Sequence, residues 1–139
     1  MKELTDAVQT AGRIIVIADG REHCFEKGDA AFRAIIKAWN EMTATAIRMP
    51  AFGVSIDELT RREMKQGLWT EFRYEKETSC AGMAFDRLLV CVKEEFRGFN
   101  VVRHVQEKYQ GRCFYVDLSG GDMSGFAAAV KKAAGLHEE

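Results

Sequence analysis

A single proline in 139 residues leaves no room for a flexible or low-complexity linker. No run approaches the roughly 20 apolar residues of a membrane-spanning helix. The N-terminal Met1–Val8 has no apolar core of signal-peptide length, so a cytoplasmic location is expected. Charge of one sign is also missing. The 20 Lys and Arg against 21 Asp and Glu give a net −1, which offers no field for DNA, RNA or an anionic membrane. Neither nucleic acid nor membrane is therefore expected as a partner.

The four cysteines (Cys24, Cys80, Cys91, Cys113) form no Cys-x-x-Cys, and no pair among His23, His104 and His137 has ligand spacing. No metal and no cofactor are expected. Free thiols are the better reading, with Cys24, Cys91 and Cys113 as small buried hydrophobes in strand-like runs.

What is present describes one globular domain over residues 1–139, with 1–12 as a short helix (Leu4, Val8 and Ala11 on one face) or a frayed end. An apolar share of 47% against 29% charged residues suffices to bury a core without metal or disulfide.

The clearest stretch runs from Arg13 to Ile47. Arg13–Ala18 is a β-branched run suited to a pleated surface. Asp19-Gly20 tolerates positive φ at both positions and favours a tight hairpin turn into Arg21–Glu26. Asp29 is placed as the N-cap of a helix carrying Phe32, Ile35, Ile36, Trp39 and Met42 on one stripe. That helix extends towards Ile47, weakened by Thr43 and Thr45, and Arg48–Gly53 reads as a connection because Pro50 disfavours helix at Met49. Ser55 and Glu58 form a capping box, with Val54 and Leu59 as its staple, and Gly67 ends the short surface helix that follows.

Leu68–Lys76 alternates. Leu68, Thr70, Phe72 and Tyr74 are assigned to the core and the charged parity to water. Glu77–Gly82 reads as a loop, and Phe85–Lys93 as a strand buried on both faces, with a helical turn over Ala84–Leu89 as the alternative. Asn100–Gln106 and Arg112–Leu118 are strands either side of a turn at Lys108–Gly111. Ser119–Asp122 opens a last helix with Met123, Phe126, Ala127, Val130 and Ala134 on its stripe and Gly135 as C-cap. The expected fold is α+β, an antiparallel sheet of about five to six strands with helices packed mainly on one face.

Function is far less legible. The chemistry-bearing residues do not converge in sequence, which favours a non-catalytic binding or regulatory module over an enzyme. Its partner would be a protein or small molecule, or a second copy of the chain through a sheet edge. One alternative is a thiol enzyme in which Cys80, read as lying in a loop, is activated by His104 or His23. Against it stand the many conditions that a nucleophilic thiol requires. Another is anion or nucleotide binding by Ser119, Gly120 and Gly121 at a strand-to-helix turn. No lysine follows those glycines and Asp122 sits where a phosphate would go, so a plain capped turn competes with it. Trp69, Phe72 and Tyr74 beside Met49–Phe52 could mark a ligand surface, if they do not all pack inward.

Overall fold

The computed structural model describes residues 1–50 and 56–136, and of residues 112 and 113 the backbone alone. The elements run α1 (Lys2–Gln9), β1 (Arg13–Ala18), β2 (Arg21–Glu26), α2 (Ala30–Thr43), β3 (Ile47–Pro50), α3 (Asp57–Glu63), β4 (Leu68–Cys80), β5 (Met83–Val92), β6 (Gly98–Val105), β7 (Lys108–Asp117) and α4 (Ser124–Ala133). The fold is α+β, as its pattern predicts. The strands form one antiparallel sheet in the order β2-β1-β4-β5-β6-β7-β3.

Seven strands replace the expected five or six because Ile47–Pro50 is neither helix tail nor connection. It pairs with β7, Ile47 opposite Asp117 and Pro50 opposite Phe114. Helix α2 stops at Thr43, whose hydroxyl donates back to the Trp39 carbonyl at 2.8 Å. Proline is tolerated at Pro50 because β3 is an edge strand.

One face of the sheet carries the main core. Ile14, Val16, Phe72, Leu88, Val90, Val101 and Val116 meet Leu4 and Val8 of α1, Phe32, Ile35 and Trp39 of α2, and Phe126, Ala127 and Val130 of α4. Trp39 lies at its centre, edge-on to Phe72, Phe99 and Phe126 with ring centroids 5.2, 5.6 and 5.8 Å away. The other face bears a smaller cluster of Ile15, Ile17, Trp69, Leu89, Val102 and Tyr109. Met64, just past α3, packs on it. The sheet therefore has a second, thinner layer.

Three hairpins are closed by two-residue turns with positive φ at both positions: Asp19-Gly20 (48° and 84°), Ala81-Gly82 (51° and 81°) and Gln106-Glu107 (54° and 66°). This is the turn hand that matches strand twist. The expected loop at 77–82 is therefore mostly strand, and Thr78, Ser79 and Cys80 pair with Phe85, Ala84 and Met83. The helical alternative at Ala84–Leu89 gives way to β5 for the same reason. The expected turn at Lys108–Gly111 is the start of β7.

Asp29 occupies the N-cap of α2, but its carboxylate makes no capping bond and accepts instead from the Glu26 amide at 2.8 Å. The capping box and staple of α3 rest on Val54 and Ser55, which lie outside the described residues. Two cysteine expectations are reversed. Cys24 is exposed, because β2 is an edge strand, and Cys80 is buried, because β4 carries it into the main core. Cys91 is half-buried.

Candidate binding site on the second face of the sheet

Helix α3 is only seven residues long, too short to hold itself. It is fastened at both ends to hairpin turns. Asp57 accepts from Arg61 Nε at 3.0 Å one turn on, and from the Tyr109 amide of β7 at 2.7 Å. The Tyr109 amide and then Arg61 hold the Asp57 carboxyl below its usual range. Arg61 donates to the Glu107 carbonyl at 3.0 Å and lies 5.2 Å from the centroid of the Tyr109 ring. At the far end the Asp19 carboxylate accepts from the Gly67 amide at 2.9 Å, and the Asp19 amide donates to the Gly67 carbonyl at 2.8 Å. The Trp69 indole donates to the Gln66 carbonyl at 2.8 Å. The helix thus lies across the second face, from the β6–β7 turn to the β1–β2 turn.

A helix this narrow cannot cover the sheet, and hollows remain on either side of it. The larger is a cleft of about 640 Å3 whose walls include Ile56 and Leu59 from the α3 side and Trp69, Cys91, Val102 and Tyr115 from the sheet. Thr60, Asn100 and Lys93 place polar groups among them. Tyr115 can stand at this wall only because residue 98 is glycine. A Cβ there would come within 2.2 Å of the Tyr115 hydroxyl oxygen and 2.8 Å of the Val116 carbonyl oxygen. At the cleft wall Ile56 and Leu59 leave 57% and 44% of their surface in solvent.

On the other side of α3 the surface is charged. Glu71 is completely buried, against the expectation that its parity faces water. Its Oε1 accepts from Arg73 Nε at 2.7 Å and lies 3.6 Å from the Arg87 guanidinium. Its Oε2 accepts from the Tyr109 hydroxyl in a short hydrogen bond. Burial, followed by the Glu71 charge, pushes the Tyr109 phenol above its ordinary range, so it stays protonated and donates. Arg73 and Arg87 are direct cross-strand partners, an unfavourable pairing of like charges that the carboxylate between them offsets. Phe85 and Leu88 both join the main core, so Asp86 and Arg87 between them turn to the second face. That brings Asp86 to 2.6 Å from His104 Nδ1, and His104 packs edge-on to Tyr109.

The thiol alternative is not assembled as drawn. Cys80 sits in the main core, where burial pushes its thiol up, while His104 is on the opposite face with Asp86. His23 is half-buried on edge strand β2, opposite Val16. At the glycine turn, the Ser119 amide donates to Asp117 at 2.8 Å, its hydroxyl to the Thr45 carbonyl at 2.8 Å, and the Gly121 amide to Leu118. Asp122 accepts from the Ser124 amide at 2.9 Å, but the N-cap position of α4 is Met123 and no side chain caps the helix. These donors are used internally. Of the aromatic trio, Trp69 reaches the cleft, Phe72 is core, and Tyr74 donates to the Ala7 carbonyl at 2.7 Å. Among the described residues no His, Cys, Asp and Glu group could hold a metal ion, and no helix is long and apolar enough to cross a membrane.

Sequence reasoning missed Glu71, Arg73, Arg87, Tyr109 and the Asp57–Arg61 clasp. Trp69-x-Glu71-x-Arg73 carried a signal, since tryptophan on an otherwise charged parity points to a second layer above it. Comparison with known proteins finds no matching family model, no matching curated protein and no matching solved structure.

Proposed function

We propose that the chain is a non-catalytic binding module that takes a small, largely apolar molecule in the cleft between α3 and the second face. The observation that carries this reading is the cleft itself: about 640 Å3, walled by Trp69, Val102, Leu59 and Tyr115, with a few polar groups to orient an occupant. That volume and lining fall within the range typical of small-molecule sites, on the order of 300–1,000 Å3. The placement of Cys80 in the main core, away from His104, favours binding over thiol chemistry.

The test is a ligand-observed NMR screen of small hydrophobic compounds, with Trp69 fluorescence as the second readout. Leu59 is 44% exposed, so Leu59→Asp should preserve the fold while placing a charge at the cleft wall. Hits should lose at least about tenfold in affinity in that variant, the equivalent of about 1.4 kcal/mol. Hits that bind Leu59→Asp unchanged and leave Trp69 emission unmoved would refute the reading.

A further inference from the structure

The charged hollow on the opposite side of α3 has a different chemistry from the cleft. It encloses about 230 Å3. Four cations border it: Arg61 and Lys65 from the α3 side, and Arg73 and Arg87 from the sheet. Three carboxylates oppose them. Asp57 clasps Arg61, Glu22 lies 3.6 Å from Arg73, and Glu71 is buried beneath Arg73 and Arg87. Asp86, next to Arg87 in β5, meets His104 Nδ1 at 2.6 Å instead, so Lys65 is the one of the four cations with no carboxylate partner among the described residues. The donors that remain belong to particular groups. Arg87 lies 3.6 Å from Glu71, longer than a hydrogen bond, and also bonds the Tyr109 side chain, so its fork is not closed on a carboxylate. The Lys65 ammonium makes no ion pair with a described residue. Ile17 and Met64 add a short apolar wall beside the cations.

We infer that this hollow is a binding site for a small anion, a carboxylate or phosphate group on a short stem, gripped by Arg87 and Lys65 between Arg61 and Arg73. Arginine presents a planar pair of donors that matches either group. At about 30 Å3 per water the space corresponds to on the order of eight waters, enough for a short-chain acid or a phosphate. The buried Glu71 fixes Arg73 in place, so the ligand meets a preorganised edge.

The experiment is calorimetric titration at constant ionic strength with sodium propionate and, separately, inorganic phosphate. Saturable binding of propionate alone identifies a carboxylate site, of phosphate alone a phosphate site, and of both a general anion site; each supports the inference. Arg87→Gln should weaken binding by about tenfold or more and Lys65→Gln by about threefold, as expected for a charge-assisted fork and an exposed point charge. Lys65→Gln touches no structural bond, so the test stands even if Arg87→Gln does not fold. Lys76→Gln, a charge change away from the hollow, should leave affinity unchanged. Binding of neither anion, or binding indifferent to both Arg87→Gln and Lys65→Gln, overturns the inference.

Discussion

Replacing Glu71 by glutamine tests the central physical claim about the second face. The substitution keeps the volume and removes the charge. In the native chain the carboxylate accepts from Arg73 Nε and from the Tyr109 hydroxyl, and it separates two arginines in direct cross-strand register. An amide can still accept from Arg73 Nε and can donate its N–H to the Tyr109 oxygen, so what the substitution removes is the negative charge held between the two arginines. Breaking a buried ion pair costs about 3–5 kcal/mol when the remaining charge is sealed in. Arg73 and Arg87 keep 24% and 34% of their side-chain surface in solvent, which reduces that cost to about 2–3 kcal/mol. For a domain of this size the melting temperature should fall by on the order of 10 °C. Urea denaturation of Glu71→Gln, Arg73→Met and the double variant measures the loss and its coupling. The two substitutions should be non-additive by about 1 kcal/mol or more, because the arginine has already lost its partner. A loss below about 0.5 kcal/mol with additive effects would show that Glu71 is buried without being held, and would refute the reasoning.

Three further outcomes are expected. Asp57 has a carboxyl held below its ordinary 3.8, so the clasp contributes fully above about pH 4 and is lost as pH falls through the depressed native value. Urea titrations from pH 6 to pH 3 should therefore show the gap between native protein and Asp57→Asn narrowing on the acid side; a gap that widens there would contradict the clasp. Cys24 is exposed and Cys80 buried with its thiol pushed up, so a thiol reagent at neutral pH should label Cys24 at once and Cys80 only on unfolding. Rapid labelling of Cys80 in folded protein would reopen the thiol alternative. Gly98→Ala should cost about 1–3 kcal/mol in chemical denaturation, with part recovered in Gly98→Ala/Tyr115→Ala. The recovery is partial because Tyr115 can be trimmed while the Val116 carbonyl, 2.8 Å from the added Cβ, cannot.

The main core was legible because its signals are local and periodic. The stripe of Phe32, Ile35 and Trp39 needs only a helix to be read, and Asp19-Gly20 needs only its own φ preferences. The other two hairpin turns were not. Gln106 and Glu107 adopt positive φ at a cost of about 1–2 kcal/mol each, which no residue-type rule selects and which the flanking strand pairing must supply. The same long-range pairing turns Ile47–Pro50 into a strand, since β7 offers an edge that the local sequence does not reveal.

The site was hidden for a related reason. Alternation on β4 assigns two parities but cannot say whether the charged one meets water or another layer. Glu71 meets Arg73 in its own strand, Arg87 in the neighbouring β5, and Tyr109, 38 residues on, which reaches it from β7 across the same face of the sheet. Remove that context and the sequence Glu71-Phe72-Arg73 is an ordinary half-wet strand. The consequence for function is structural. Asp57 and Arg61 fasten α3 through Tyr109, and Tyr109 is itself held by Glu71, so the same short chain of bonds positions the wall of the apolar cleft and the rim of the charged hollow. A ligand that tightens Arg61 or Arg87 on one side of the helix therefore acts on the element that shapes the other side. That is the route by which occupancy of one hollow would be felt in its neighbour.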